Sequence, residues 1–334
     1  MYSLKEIHNR VFRLTNHLTD AEFNEIAMEV FRHQAVNNKV YRDYLLNLQQ
    51  DPDLIKHYSE VPFLPIEFFK TKQIVCDKVE DNSVCFSSSG TTGQITSKHF
   101  VNDIFVYETS FKKGFRQFYG NVEDYCILAL LPNYLEREGS SLVYMFDKLI
   151  KDSGHPQSGF YLNNLDDLVR TIKTLKDSGQ KTLLLGVTYA MLDLAERDVQ
   201  LSENFIVMET GGMKGKRKEL LKEELHAILK EKFNVSAIHS EYGMTELLSQ
   251  AYSKKNGLFE CPPWMKIMIR DVNDPFSYVR PNKGGGVNVI DLANVNSCSF
   301  IETKDLGRCD EYSHFEILGR FDNSDIRGCN LMIG

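Results

Sequence analysis

Short, almost continuous apolar runs alternate with amphipathic stretches from about residue 74 onward. These runs have the length of a strand and are predicted strands: Ile74–Cys76, Val84–Phe86, Cys126–Leu131, Thr182–Val187, Phe205–Met208 and Val235–His239. The clearest stretches between such runs, Asp166–Lys176 and Lys218–Phe233, repeat apolar residues at helical spacing. Strands that are apolar on both faces and separated by helices are typical of a buried, mostly parallel sheet. The chain is therefore predicted to be an α/β protein.

The last third of the chain has a different pattern. Apolar runs follow one another closely there, with Gly- and Asn-rich turns between them: Lys266–Val272, Gly286–Ala293 and Ser299–Glu302. Consecutive strands joined by short turns favour antiparallel pairing. This region is therefore predicted to form a smaller antiparallel or barrel-like part.

The N-terminal region is predicted to be helical. Between residues 4 and 49, apolar side chains such as those of Phe23, Ile26 and Phe31 recur at helical spacing. Asp20 is a candidate cap for one of these helices. The segment Val61–Phe69 contains two prolines, which a helix interior does not accept, and is predicted to be extended.

Charge and cysteine content exclude several classes of protein. The 334 residues include 46 acidic and 39 basic side chains, a net charge of -7, whereas proteins that bind nucleic acid usually carry a basic excess. No stretch approaches the roughly 18 apolar residues of a membrane span, and the N-terminus lacks a secretory signal. The seven cysteines are irregularly spaced without a C-x-x-C pair. Reduced thiols and a cytoplasmic location are expected.

The first candidate for chemistry is the segment Ser87-Ser88-Ser89-Gly90-Thr91-Thr92-Gly93-Gln94-Ile95-Thr96-Ser97-Lys98. It follows the apolar run Val84–Phe86. Small residues let the backbone approach a ligand closely, and N–H groups and hydroxyls can then surround phosphate oxygens. Lys98 would add a positive charge. The spacing is not that of a Walker A loop, and for this segment alone a flexible turn is the favoured alternative.

The second candidate is Glu241-Tyr242-Gly243-Met244-Thr245-Glu246, after the apolar run Val235–His239. A tyrosine beside a glycine can offer its ring face to a planar base. A following Thr-Glu pair can bind a phosphate and a Mg²⁺ ion. The alternative is a strand end followed by a capped helix. Upstream, Glu209-Thr210-Gly211-Gly212 also follows an apolar run, and its glycines could simply form a turn.

The third candidate lies near the C-terminus. It consists of Glu302-Thr303-Lys304-Asp305-Leu306-Gly307-Arg308 and, further on, Gly319-Arg320-Phe321-Asp322. An aspartate at a strand end suits ribose hydroxyls, and an arginine suits a phosphate. Taken alone, each segment is equally typical of a polar turn.

Together, these segments resemble the adenylate-forming superfamily of acyl-CoA synthetases, luciferases and peptide-synthetase adenylation domains. The motifs S-S-G-T-T-G, Y-G-M-T-E, T-x-D-L-G and G-R-x-D occur in the family's order from Ser87 to the C-terminus. The helical N-terminal region and the segment Phe63–Lys70 are similar to phenylacetate-CoA ligases and to the acyl-protein synthetases of bacterial bioluminescence, the LuxE family. Glu209–Lys214 and the short length resemble the acyl-protein synthetases most.

The resemblance implies the fold of the N-terminal domain of these enzymes, with parallel-sheet αβαβα subdomains and a small β-barrel part. It also implies ATP and Mg²⁺ as cofactors. The implied phosphate-binding residues are Ser88, Ser89, Gly90, Thr91, Thr92, Gly93 and the catalytic Lys98. Gly211, Gly212, Tyr242 and Gly243 would surround the adenine, and Asp305 would hold the ribose. Thr245 would contact the α-phosphate, Glu246 would bind Mg²⁺, and Arg320 would lie at the nucleotide or the hinge.

The sequence departs from the family pattern at two places. Gln94–Ser97 separates the glycine of the loop from Lys98, where the family usually has G-x-P-K. The hinge-like Gly319-Arg320 lies close to the C-terminus, so the mobile C-terminal domain and its lysine are expected to be absent. Residues 1–318 are then the adenylation core, with a helical N-terminal segment over 1–73. Residues 319–334 are a hinge remnant and tail.

Acyl-protein synthetases of the bioluminescence type carry the acyl group on a cysteine near the C-terminus, which makes Cys329 the matching candidate. A thiol on a short tail could reach an acyl adenylate, and Arg327 could favour the thiolate. An ordinary tail cysteine is an equally weighted alternative.

The resemblance therefore implies activation of a carboxylic acid, expected to be a fatty acid, and its transfer to a protein thiol. An acyl-CoA-reductase-like protein or an acyl carrier would be the partner. Two alternatives remain: an acyl- or aryl-CoA ligase, and a nucleotide-binding subunit without a complete reaction of its own.

Overall fold

The computed structural model describes residues 3–88, 95–131, 139–161, 164–211 and 220–321. The chain divides into two compact units. Unit one comprises Met1–Ser110, Thr245–Ser249 and Glu260–Gly334, and unit two comprises Phe111–Met244 and Gln250–Phe259. The expected boundary at residue 318 stays a prediction, because residues 322–334 lie outside the described ranges.

Helices and strands alternate through most of the described ranges. The helices there are α1 (Leu4–Val11), α2 (Asp20–Asn37), α3 (Lys39–Asn47), α4 (Phe68–Thr71), α5 (Ile104–Tyr119), α6 (Ser141–Ser153), α7 (Leu165–Ser178), α8 (Thr188–Ala195) and α9 (Lys222–Phe233). The strands of the first half are β1 (Leu64–Pro65), β2 (Val84–Ser87), β3 (Lys98–Val101), β4 (Cys126–Leu130), β5 (Gly159–Phe160) and β6 (Thr182–Val187). Those of the second half are β7 (Phe205–Thr210), β8 (His239–Tyr242), β9 (Ala251–Ser253), β10 (Phe259–Glu260), β11 (Met265–Arg270), β12 (Gly285–Asp291), β13 (Phe300–Cys309) and β14 (Phe315–Arg320).

The parallel sheet predicted from the apolar runs is the core of unit two. Its strands lie in the order β9-β8-β7-β6-β4-β5, and all are parallel except β9, which runs antiparallel to β8. Every residue of β4 and β6 is buried, as expected for strands covered on both faces. The predicted α/β class is confirmed.

The antiparallel part predicted for the last third lies in unit one. Strands β11, β12, β13 and β14 pair antiparallel in that order, and β1 adds to β13 in parallel, with Leu64 opposite Ile301. The prolines of Val61–Phe69 are compatible with this short extended piece. The segment is not extended throughout, however, because α4 begins at Phe68.

The N-terminal helices form as the sequence predicts, with one correction at a helix start. Phe23, Ile26, Ala27 and Phe31 are all buried on α2. The cap of α2 is Thr19 and not Asp20. The Thr19 hydroxyl accepts from the Glu22 backbone N–H at 3.3 Å, while the Glu22 carboxylate accepts from the Thr19 N–H, which is a capping box.

Two predicted strands differ from the structure. Ile74–Cys76 is buried but forms no strand, and its backbone contact is the Cys76 N–H donating to the Asn296 carbonyl at 2.7 Å. Val235–His239 is mainly the connection after α9, which ends at Asn234 in a left-handed conformation (φ 55°). Strand β8 therefore begins at His239, where the predicted strand ended.

No helix in the described ranges is both long and apolar enough to cross a membrane.

Truncating Phe31 should destabilise unit one strongly. Its ring is fully buried and meets the rings of Tyr41 and Phe300 edge-on at 6.1 and 6.0 Å. Because Phe31→Ala would leave a cavity, we expect it to lower the free energy of unfolding by about 3–5 kcal/mol. Phe105→Ala, whose ring is 71% exposed, is the control and should cost less than about 1 kcal/mol. Urea unfolding followed by fluorescence of the single tryptophan, Trp264 in unit one, measures both, and equal losses would contradict the packing argument.

Candidate functional site

Glu246 places a carboxylate inside unit one. Thr245 and Glu246 form a turn directly after the motif's Tyr242-Gly243-Met244, and the Glu246 residue is only 5% exposed. Burial raises the pKa of its carboxyl group, and the negative charge of Asp305 acts in the same direction. A hydrogen bond from Ser97 and the positive charge of Arg320 oppose this rise in pKa. The turn therefore holds an acidic side chain whose negative charge is only partly compensated by its neighbours.

Asp305 and Arg320 face each other on adjacent strands. They are register partners across β13 and β14, and Arg320 Nε lies 3.3 Å from Asp305 Oδ1. Asp305 is mainly buried, while the Arg320 side chain is exposed. Unit one thus brings together three residues predicted from separate motifs, Glu246, Asp305 and Arg320. Asp305 was expected at a strand end, but β13 extends to Cys309, so Asp305 lies within the strand.

The acidic pair fits a Mg²⁺ ion by its chemistry. Carboxylate oxygens are hard ligands, and Mg²⁺ is usually bound by one or two carboxylates together with substrate phosphates and water. Burial is the main cause of the raised Glu246 pKa, and the negative charge of Asp305 adds to it; a divalent cation relieves such repulsion. Within the described ranges no group of three or more His, Cys, Asp or Glu side chains could hold a metal alone.

The ends of the predicted phosphate loop are joined by hydrogen bonds. The Ser88 N–H donates to the Ser97 carbonyl at 3.1 Å, and the Ser97 N–H donates to the Ser88 hydroxyl at 2.9 Å. Lys98 begins β3 opposite Ser87, and its side chain is exposed. Because side chains alternate along a strand, Lys98 lies on the opposite face of β3 from Ser97 and His99. The structure therefore does not bring Lys98 into the group around Glu246.

Several predicted site residues lie outside the described ranges. They are Ser89, Gly90, Thr91, Thr92 and Gly93 of the predicted phosphate loop, Gly212 and Cys329.

Unit two holds the residues expected around an adenine. Gly211 follows β7 in a left-handed conformation (φ 68°), and its carbonyl accepts from the Thr188 hydroxyl at 2.8 Å. Tyr242 is the last residue of β8, and its ring lies edge-on to that of Phe259 at 5.9 Å. At Gly243 a Cβ atom would lie 2.5 Å from Glu241 Oε1, so a side chain there would displace the carboxylate of Glu241. The glycines next to both strand ends thus have local structural causes.

Two buried glutamates beside these residues were not predicted as site residues. Burial alone would raise the pKa of Glu209, but Lys222, with Nζ at 3.0 Å from Oε1, and the hydrogen bonds of His226 and Ser240 lower it to about 2. Burial raises the pKa of Glu241 to about 7, although Thr210 Oγ1 donates to Glu241 Oε2 at 2.5 Å. The only sequence signal for this pair is an acidic residue at the end of an otherwise apolar run.

Comparison with solved structures gives the fold of known ligases. The ATP-bound MatB of Rhodopseudomonas palustris matches with a TM-score of 0.54 and 16% identity. The O-succinylbenzoate coenzyme A synthetase (MenE) of Bacillus subtilis with ATP and magnesium matches with a TM-score of 0.50 and 19% identity. An open conformation of 2-hydroxyisobutyryl-CoA ligase with 2-HIB-AMP and CoA matches with a TM-score of 0.68 and 12% identity.

The extent of these matches differs. They cover 71%, 71% and 93% of this chain, and 47%, 49% and 72% of the MatB, MenE and 2-hydroxyisobutyryl-CoA ligase chains respectively. The chain thus spans about half the length of the first two. No protein-family model matches the sequence, and no curated protein matches it significantly. At these identities the matches show the fold and leave the chemistry to be argued from the residues.

Glu241→Gln should remove a pH dependence from the stability of unit two. The ordinary pKa of Glu241 is 4.5, and burial raises it to about 7 in the folded chain. Between these values the unfolded chain releases a proton that the folded chain retains, so the folded state loses about 1.4 kcal/mol per pH unit as pH rises. The glutamine variant stays neutral and should gain about 2–3 kcal/mol over the wild type between pH 5 and pH 8.

Urea unfolding followed by circular dichroism at both pH values measures this difference. Glu223→Gln, at an exposed position on α9, is the control and should show no such gain. A Glu241→Gln difference that stays constant with pH would contradict the raised pKa.

Proposed function

We propose that this chain uses ATP to activate a carboxylic acid, forming an acyl adenylate and pyrophosphate. One observation carries the proposal. Glu246, Asp305 and Arg320, which come from three separate motifs, lie near enough in unit one for the charges of Asp305 and Arg320 to act on the Glu246 carboxyl group, and Arg320 pairs with Asp305. Mg²⁺, ribose hydroxyls and phosphate oxygens are the ligand groups that such side chains bind. The fold shared with adenylate-forming ligases supports the same reaction class.

For unit one we propose contacts to the phosphates, the metal and the ribose. Thr245 contacts the α-phosphate, Glu246 binds Mg²⁺, and Asp305 accepts hydrogen bonds from the ribose hydroxyls. Arg320 neutralises negative charge beside Asp305. The segment from Ser88 to Gly93 surrounds the phosphates. Lys98 lies on the opposite strand face from Ser97, so we propose that it contacts a phosphate through its long side chain.

For unit two we propose contacts to the base. Tyr242 lies against the adenine ring, and Gly211, Gly212 and Gly243 border it. The absence of side chains at the glycines lets the backbone approach a planar ring closely.

In the proposed first step, a carboxylate oxygen of the acid attacks the α-phosphorus of ATP. The P–O bond to the β-phosphate breaks, and pyrophosphate leaves with the bonding electrons. Mg²⁺, when bound, supplies charge neutralisation on the phosphate oxygens. The residues of the chain hold the α-phosphate and the ribose in place, so positioning and electrostatics provide most of the acceleration.

In the proposed second step, the Cys329 thiolate attacks the acyl carbon of the adenylate. A C–S bond forms, the C–O bond to the phosphate breaks, and AMP leaves. The product is an acyl thioester of the chain, with a fatty acid as the proposed substrate. An acyl-CoA-reductase-like protein or an acyl carrier is the proposed recipient. The similarity of the sequence motifs to acyl-protein synthetases supports this step.

Coenzyme A is the second candidate acceptor. One specific observation favours it: the structure matched over 93% of this chain is a CoA ligase with CoA bound. The two acceptors differ in a simple respect, because transfer to Cys329 needs no free thiol and transfer to CoA does. A subunit that only binds nucleotide would show neither transfer.

Glu246→Gln should abolish most ATP–pyrophosphate exchange. Wild-type chain with ATP, Mg²⁺ and a panel of short, long and aromatic acids is expected to exchange labelled pyrophosphate into ATP. Loss of the proposed metal ligand should reduce the exchange rate at least about 100-fold. The control is Glu316→Gln, a strand residue paired with Arg308 at 2.6 Å and outside the Glu246 group, which should retain exchange. Exchange by no acid despite ATP binding would favour the nucleotide-binding subunit.

Cys329→Ser should eliminate covalent acylation while retaining pyrophosphate exchange. With ATP, Mg²⁺ and the acid identified by exchange, intact mass spectrometry should find the wild type heavier by one acyl group, and hydroxylamine should remove it. Cys85→Ser removes an exposed cysteine on β2 and is the matched control, expected to be acylated normally. Acylation of Cys329→Ser to the wild-type extent would contradict the proposed second step. Acyl-CoA formed with added CoA, without protein acylation, would establish the other acceptor.

A further inference from the structure

Two side chains at the start of β3 lie towards the Thr245–Glu246 turn. Ser97 directly precedes the strand and His99 is its second residue, and because they are two residues apart in an extended backbone they lie on one face. Ser97 bonds the Glu246 carboxylate. His99 is fully buried, and its Nδ1 lies 2.8 Å from the Thr245 carbonyl oxygen. The side chain and the backbone of the turn are thus each held by a residue of the same strand face.

The other nitrogen of His99 lies next to Asn294. His99 Nε2 lies 3.1 Å from Asn294 Oδ1. The Asn294 amide nitrogen donates to the Glu246 carbonyl at 2.9 Å and to the Cys298 carbonyl at 3.0 Å. These two acceptors settle the orientation of the amide, because rotating it would place Oδ1 against two carbonyl oxygens. His99 and Asn294 therefore hold two successive carbonyls of the turn.

The proton of the His99 ring lies on the nitrogen that faces Thr245. Burial lowers the pKa of His99 to about 4, so the ring is neutral near pH 7 and carries one N–H. Both of its neighbours are acceptors, and the contact to Thr245 is the shorter of the two. We therefore assign the N–H to Nδ1, which donates to the Thr245 carbonyl; Nε2 then carries a lone pair and makes no hydrogen bond to Asn294 Oδ1, which is also an acceptor.

A second anchor holds the end of the same segment. The buried Asp291 accepts from the backbone N–H groups of Leu248 at 2.7 Å and Ser249 at 3.0 Å, and from the Ser249 hydroxyl at 2.5 Å. The ends of the Thr245–Ser249 segment are thus held by different side chains. The contacts of His99 and Asn294, unlike those of Asp291, are to the backbone carbonyls of Thr245 and Glu246.

We propose that His99 is a positioning residue, which acts through the Thr245 carbonyl and, with Asn294, sets the turn that receives the α-phosphate and Mg²⁺ of ATP. This inference rests on the proposed function. Its distinguishing feature is the atom responsible: the hydrogen bond from Nδ1 carries the effect, and the size or burial of the ring does not.

Two isosteric variants separate the nitrogens. His99→Asn places an amide nitrogen two bonds from Cβ, as Nδ1 is, and retains the donor to Thr245. His99→Gln places it three bonds from Cβ, as Nε2 is, and loses that donor. We expect His99→Asn to bind MgATP within about threefold of the wild type and His99→Gln to bind about tenfold more weakly by calorimetry, the usual cost of one buried hydrogen bond. In exchange assays, the KM for MgATP should follow the same order.

Asn294→Ser should weaken MgATP binding about tenfold as well. Its matched control is Asn38→Ser. Asn38 is also a buried amide of unit one that donates to a backbone carbonyl, that of Ser297 at 2.9 Å, but it does not contact the turn. The unfolding temperature should fall by a similar amount in both serine variants, while only Asn294→Ser should weaken the binding of MgATP.

Equal MgATP affinities for His99→Asn and His99→Gln would overturn the inference, as would equal effects of the two serine variants. If the wild type binds no MgATP, the proposed function fails, and hydrogen exchange of the peptide containing residues 245–249 then decides the inference. Hydrogen exchange about tenfold faster in His99→Gln than in His99→Asn supports the positioning role of His99. Equal exchange in these two variants refutes it.

Discussion

The buried carboxylate of Glu246 is the constraint on which the rest of unit one's site depends. A charge inside a protein is costly unless hydrogen bonds and opposite charges compensate it. Ser97 bonds this carboxylate, and Arg320, held beside Asp305 by the pairing of β13 with β14, supplies part of the opposite charge. The turn, β13 and β14 therefore each contribute one charged side chain that acts on the others.

Unit two contains two buried acidic residues whose pKa values shift in opposite directions. Glu209 and Glu241 lie on the neighbouring parallel strands β7 and β8. Lys222 keeps Glu209 charged, whereas burial and the negative charge of Glu209 raise the pKa of Glu241 against the opposing effects of Thr210 and Lys222. Two carboxyl groups in close proximity thus adopt different protonation states near neutral pH, which limits the repulsion between them. The adjacent Gly243 leaves the space that the Glu241 side chain requires.

The sequence predicts best where the physical cause is local. Thr182–Val187 was predicted as a strand and forms β6 with the same limits, because an aliphatic run buried on both faces has few alternatives. The strand predicted over Val235–His239 was wrong, because the left-handed C-cap residue Asn234 and the connection after it delay the strand to His239–Tyr242. Asp305 was recognised by its motif, but its placement inside β13 depends on pairing with distant strands. The roles of His99 and Asn294 depend on contacts between residues almost 200 positions apart, which no local pattern reveals.

The reciprocal bonds between Ser88 and Ser97 have a consequence for how this region can vary. They extend the pairing of β2 with β3 by one residue on each side, so Ser88 and Ser97 fix the register of the two strands at this end. A single residue inserted after Ser97 would shift that register, exchange the two faces of β3 and expose the imidazole of His99.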